Sequence, residues 1–244
     1  MRNRSCSFDL LEPRLFLSTT MFREGGGVGF VDTRFDDAQI TSATDVPNGT
    51  SAAGIAVGGS PTNYGLLGIN DLFALLPKNA AGQVINVSQA KLHLFRADAG
   101  VSAGTISVFS AATDWMTGAA GTNETDVTFQ HSDKGADVAW AAGNFGIGDY
   151  SAGGATAGFA SGIDQEIVID ITSLVAAMYQ SGTNDGFVIS ASDAISYRTA
   201  ENAIRGLRPV LEITYTYVDA THPLTVNSGS GDGDYAPGAL VGVT

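Results

Sequence analysis

Val210-Leu211-Glu212-Ile213-Thr214-Tyr215-Thr216-Tyr217-Val218 is the stretch on which the fold class turns. Leu211, Ile213, Tyr215 and Tyr217 alternate with Glu212, Thr214 and Thr216, and a period of two sends the apolar set to one side of a pleated strand. The same pattern recurs upstream. Ala90, Leu92 and Leu94 alternate with Lys91, His93 and Phe95, Ile106 and Val108 share one side of residues 105–109, and Ile167, Ile169 and Ile171 share one side of 166–171. Residues 186–191 and 194–198 supply two further short strands. Segments 90–95 and 105–109 follow one another closely and are expected to pair antiparallel. A single short helix is expected over 173–180, where Leu174, Val175 and Met178 stand at helical spacing. Thr172 is placed to cap its N-terminus and Gly182 to end it in the left-handed region.

Glycine supplies 31 of the 244 residues, nearly twice its ordinary share. Each glycine inside a helix costs about 1 kcal/mol relative to alanine, so the composition argues against a helix bundle. Turn signals at Gly25-Gly26-Gly27, Pro47-Asn48-Gly49, Gly58-Gly59-Ser60-Pro61 and Asn63-Tyr64-Gly65 break residues 21–83 into short strands and long loops. Residues 111–165 carry both tryptophans and closely spaced glycines, and read as a wandering surface region. Short strands, one brief helix and no βαβ alternation predict an all-β protein, an antiparallel sandwich or jelly roll, and disfavour a doubly wound nucleotide fold.

The chain carries 12 basic and 25 acidic residues, a net charge of −13, which opposes docking on nucleic acid. No apolar run approaches the roughly 18 residues needed for a membrane span. The lone Cys6 excludes an intramolecular disulfide and a cysteine-based metal knuckle. Residues 1–20 form a leader-like segment in which Asp9, Glu12 and Pro13 interrupt the apolar stretch, a poor match to an ordinary secretory signal. Residues 21–218 are read as the sandwich domain. Residues 219–244 are read as a linker and the truncated start of a repeat unit, because about 20 residues cannot bury a core of their own.

Signatures of catalysis are sparse. The sequence has no His-Glu-x-x-His, no Gly-x-Ser-x-Gly, and no Lys-Ser/Thr after Gly25–Gly29. His93, His131 and His222 fall in a strand, a loop and a linker, so no cofactor is called for. Asp36-Asp37 and Asp232-x-Asp234 could supply oxygen ligands to a structural calcium, although solvated acidic turns are the expected reading and the metal ligands stay unassigned. Trp115 and Trp140 are candidate platforms for sugar rings, which pack their C–H faces on flat π surfaces; core packing is the competing and commoner use of both. Tyr197 is a further aromatic candidate beside Arg198. Arg198, Arg205 and Arg208 face only Glu201 between residues 198 and 208. Such a patch could receive a uronate carboxylate through bidentate guanidinium contacts, or could instead hold an internal Arg198–Glu201 ion pair.

Several motifs carry a likeness to known families. Leu11-Glu12-Pro13-Arg14-Leu15-Phe16-Leu17-Ser18 resembles the LEPR-type N-terminal motif of large bacterial surface proteins, and residues 224–244 resemble the opening of a short surface repeat of the internalin-repeat type. Between them, Asn63-Tyr64-Gly65, residues 88–94, Val108-Phe109, Asp114-Trp115, residues 124–129, Val138-Ala139-Trp140, residues 169–175, Asn184-Asp185-Gly186-Phe187, residues 197–201 and residues 208–215 resemble, in order and spacing, a DNRLRE-type domain. That family is related to disaggregatase-type and carbohydrate-binding modules. The resemblance implies a jelly-roll module without catalytic residues, monomeric, extracellular or at the cell surface of a multidomain bacterial protein, with polysaccharide as partner. Adhesion to a glycan, uronate-bearing or neutral, is the expected role, with a structural spacer or part of a polysaccharide-degrading enzyme as rivals.

Overall fold

The computed structural model describes residues 15–48, 54–76, 85–98, 103–116, 124–218, 222–224 and 233–235. In chain order the first elements are β1 (Leu15–Arg23), β2 (Val31–Asp32), β3 (Phe35–Thr41), β4 (Ile55–Val57) and β5 (Asn63–Ile69). Helix α1 (Leu72–Leu75), β6 (Asn86–Phe95), β7 (Gly104–Ser110), β8 (His131–Asp133), β9 (Val138–Ala139) and β10 (Ala155–Phe159) follow. The chain continues with β11 (Glu166–Asp170), α2 (Thr172–Ser181), β12 (Phe187–Ala191), β13 (Ile195–Tyr197), a 3₁₀ turn at Arg205–Leu207 and β14 (Val210–Val218). Last come β15 (His222–Leu224) and β16 (Gly233–Tyr235), which pair antiparallel with each other. The protein is all-β; among the described residues it has two α-helices, of which only α2 exceeds a single turn.

Two five-stranded sheets stack face to face, in the orders β11-β6-β14-β1-β2 and β10-β7-β12-β5-β3. Alternation does what it promised. Ala90, Leu92 and Leu94 of β6, Ile167 and Ile169 of β11, and Leu211, Ile213 and Tyr215 of β14 all face a common core, opposed by Ile106, Val108, Phe187, Ile189, Leu67 and Ile69 of the other sheet. Burying a Leu or Ile side chain is worth about 2 kcal/mol, so this interior dominates the fold's stability. The face of each strand was thus correctly read; one pairing was not. β6 bonds to β11 and β14, whereas β7 bonds to β10 and β12 in the opposite sheet. Both strands offer a single apolar face, and facing each other across the core satisfies that requirement as well as lying side by side.

Helix α2 buries Leu174, Val175, Met178 and Tyr179 against the same core. Gly182 ends it at φ 72°, returning its N–H to the Met178 carbonyl. Thr172 does not cap it. Its Oγ1 instead accepts the Ala90 N–H at 2.9 Å and donates to Asp170 at 2.6 Å, tying the helix start to β6. The N-terminal boundary also differs from expectation. Leu15–Thr20, assigned to the leader-like segment, are the first part of β1 and pair with β14 from Leu15↔Val218 onward. The remainder of that segment, residues 1–14, lies outside the described residues, as does most of 219–244.

The region 111–165 is not a surface loop. Trp115, Met116, Val127, Trp140 and Phe145 form a second core with Ala38, Ile40, Leu66 and Val188. Those last four belong to the outer face of β3, β5 and β12, so these strands are buried on both sides and lack clean alternation, as Leu66-Leu67 and Phe187-Val188-Ile189 illustrate. Asp149, fully buried, shapes this outer layer by accepting the N–H groups of Ala141 and Gly146, each at 3.0 Å. The Trp140 indole donates to the Thr128 carbonyl at 2.8 Å and meets Phe145 edge-on, with centroids 4.9 Å apart.

Candidate functional site

At the end of β1 the chain turns through Glu24-Gly25-Gly26-Gly27, closed by a Gly26 N–H to Arg23 carbonyl bond of 3.0 Å. Gly25 and Gly27 have φ of 75° and 126°, a region that penalises any residue with a Cβ. The missing side chains also leave room: a Cβ on Gly25 would lie 2.8 Å from Arg208 Nη1, and one on Gly27 2.6 Å from Arg23 Nη2. Two guanidinium groups therefore rest directly over the glycine backbone. Arg23 donates to the Gly26 carbonyl and stacks 3.7 Å over the Phe30 ring. Arg208 donates to the Asn202 and Glu24 carbonyls at 2.8 and 3.1 Å.

Arg205, on the 3₁₀ turn, is exposed, and its side chain makes no hydrogen bond or ion pair among the described residues. Its charge and that of Arg208, after burial, lower the pKa of Arg23, as expected of crowded like charges. Beside this trio opens a shallow cleft of ≈ 370 Å³ lined by Glu24, Gly25, Asp32, Thr33, Arg34 and Arg208.

Beneath the cleft lies a cluster of acids along the free edge of β3. The outward N–H groups of an edge strand need partners, and here carboxylates supply them. The Phe35 N–H donates to Glu24 Oε2 at 2.9 Å, and the Asp37 N–H donates to the Glu124 carboxylate. The Asp36 side chain is held by Arg34 Nε at 2.7 Å and by the Asn70 amide. The Asp37 side chain points the other way, into the sandwich, where Oδ2 accepts the Ala200 N–H at 2.6 Å. Burial, then the charge of Glu201, pushes the Asp37 pKa far up, against the pull of that N–H. Burial and Glu201 likewise push Glu124 up to about 7, and burial raises Glu201. Asp37 Oδ1, Glu124 Oε2, Glu201 Oε2 and the Tyr197 hydroxyl are shut away from solvent without a hydrogen-bond partner among the described residues.

Of the residues named from sequence, Arg208 lines the cleft and Arg205 lies beside it, over the glycine turn. The other four do not form a binding face. Trp115 is 0% exposed, Trp140 2% and Tyr197 0%, so none has a ring face open to a sugar; the two tryptophans fill the second core and Tyr197 the first. Arg198 pairs with Asp164 at 2.8 Å, not with Glu201. Asp36 and Asp37, expected in a solvated turn, are 1% and 0% exposed inside β3. Asp232 and Asp234 fall on residues whose side chains lie outside the description. Sequence reasoning passed over Arg23, Glu24, Arg34 and Glu124. The one local signal was an acidic pair flanked by Phe35, Ala38 and Ile40, an odd placement for charge in a buried strand.

Among the described residues, no group of three or more His, Cys, Asp and Glu side chains is arranged to hold a metal ion, and no helix is long and apolar enough to cross a membrane. The sequence matches no protein-family model and no curated protein.

Proposed function

We propose that the chain is a noncatalytic carbohydrate-binding module that engages acidic glycan at the arginine cleft, within an exported or surface-attached multidomain protein. One observation carries this reading: Arg23, Arg205 and Arg208 converge on one edge of a chain whose net charge is −13. Guanidinium groups pair carboxylates in bidentate fashion, and Arg205 has its donors unspent among the described residues. The resemblance to DNRLRE-type modules points the same way, and the LEPR-like N-terminus supports an extracellular or cell-surface site. The noncatalytic reading is supported by the burial of Asp37, the most strongly raised of the acids, which has no surface open to a substrate.

A spacer role is favoured by a different observation. Arg23 and Arg208 are engaged with backbone carbonyls, and Glu24 and Asp32 share the cleft with Arg208. Calorimetric titration with oligouronates and neutral oligosaccharides separates the two. Binding of oligouronate, weakened about tenfold or more by Arg205→Ala with an unchanged melting curve, supports the glycan reading. Absent binding, or affinity unaltered by Arg205→Ala, rejects it. Arg208→Ala is the poorer probe, because it also releases the Asn202 and Glu24 carbonyls.

A further inference from the structure

Three of the chain's 12 basic residues meet over one glycine turn. They come from separate elements: Arg23 ends β1, Arg205 opens the 3₁₀ turn, and Arg208 follows that turn ahead of β14. The point that a Gly25 Cβ would take has Arg208 Nη1 at 2.8 Å and Arg205 Nε at 3.6 Å. The corresponding point at Gly27 has Arg23 Nη2 at 2.6 Å and Arg205 Nη1 at 3.9 Å. Arg205 therefore borders both points and joins the other two guanidinium groups. Those two are fixed by uncharged partners, Arg23 by the Gly26 carbonyl and Arg208 by the Asn202 and Glu24 carbonyls. The nearby acids are turned to backbone instead: Glu24 Oε2 accepts the Phe35 N–H and Asp32 Oδ1 the Gly25 N–H, each at 2.9 Å. Among the described residues, no carboxylate stands within ion-pair distance of any of the three arginines. Like charges gathered in this way repel in the free protein, and an anion bound among them relieves the repulsion.

We infer that this turn is a site for a tetrahedral oxyanion, a sulfate or phosphate ester carried on a saccharide, in preference to a uronate carboxylate. The inference rests on the glycan reading above and narrows its ligand. A carboxylate presents two coplanar oxygens, which a single guanidinium fork saturates. An ester of sulfate or phosphate presents three terminal oxygens in three directions, so that arginines arriving from three elements can each reach one. The surroundings suit an ester on a sugar better than a free anion. Val28 follows Gly27, Ile204 precedes Arg205, and both are exposed, which sets apolar surface beside the charges for the C–H face of a ring.

The test is calorimetric titration of the full chain, at one pH and ionic strength, with four probes: a sulfated oligosaccharide, its neutral desulfated parent, a phosphorylated oligosaccharide and an oligouronate. An ester-bearing chain should bind about tenfold or more tightly than the oligouronate, and the desulfated parent should lose the binding of the sulfated chain. The tighter of the two ester-bearing chains identifies the ester, and either identity supports the site. Arg205→Ala should weaken ester binding about tenfold or more with an unchanged melting curve, and Arg205→Lys should recover only part of it, because an ammonium has no planar fork. Oligouronate binding as tight as that of both esters overturns this inference and leaves the glycan reading standing. Absence of binding by all four removes both. Ester binding that Arg205→Ala leaves unaltered places the ester elsewhere on the chain and equally overturns the site.

Discussion

Trp140→Ala tests whether residues 111–150 are a packed third layer. The indole is 2% exposed, meets Phe145 edge-on and donates to the Thr128 carbonyl. An aromatic side chain of this size buries on the order of 200 Å², worth about 5 kcal/mol at about 25 cal/mol per Å². Apolar surface already covered in the denatured chain trims this to roughly 3–4 kcal/mol. Leaving the Thr128 carbonyl without its donor adds about 1 kcal/mol. The expected loss of roughly 4–5 kcal/mol falls within the usual range for removing a buried tryptophan, and corresponds to a fall in melting temperature of roughly 8–20 °C for a chain of this size.

Urea unfolding followed by far-UV circular dichroism measures the loss. Trp115, the one tryptophan left in the variant, is fully buried in the same layer, so its fluorescence reports that layer alone. Coincident transitions mean that the layer melts with the sandwich; an earlier fluorescence transition means that it detaches first. A loss under about 1 kcal/mol is what an exposed loop would give, and it would refute the reasoning.

Acid linkage gives a second prediction. Glu124 titrates near 7 in the fold against about 4.3 in the unfolded chain, so between those values the native state holds the extra proton and stability falls as pH rises. The midpoint of urea unfolding should decline from about pH 4.5 to pH 7, and Glu124→Gln should flatten the slope; an unchanged slope in the variant removes Glu124 from the account. Gly65→Ala sets a methyl against the Tyr197 hydroxyl and within 3.1 Å of Ile55 Cγ2. Overpacking of this kind costs about 2 kcal/mol, so the melting temperature should drop by roughly 4–8 °C, and a melt equal to the parent's would show that Tyr197 is free to move aside.

Side-chain direction along a strand is a local property, and the sequence alone determined it. The alternation of Leu92 and Leu94 with Lys91 and His93, and of Leu211 and Ile213 with Glu212 and Thr214, placed each residue on its proper face. Gly182 was legible for the same reason, because a helix stop needs only the local freedom of a glycine. Which strand neighbours which is not local: β6 and β7 have equally good faces, and only closure of both sheets puts them on opposite sides of the core. The outer layer left a trace in the unbroken apolar runs of β5 and β12, but nothing in residues 111–150 says what they cover.

Of the candidate site, Arg205 and Arg208 were visible beforehand through a local excess of positive charge, and Asp36-Asp37 as an acidic pair read as a solvated turn. Their partner Arg23 and the acids below them arrive from distant parts of the chain. The Asp37 carboxylate meets the Ala200 N–H across 163 residues, and its burial, its missing partner and its raised pKa follow from that meeting. An aspartate two places from Phe35 reads as solvated until folding brings a loop over it, since desolvation depends on every atom that comes near and sequence records only the neighbours along the backbone.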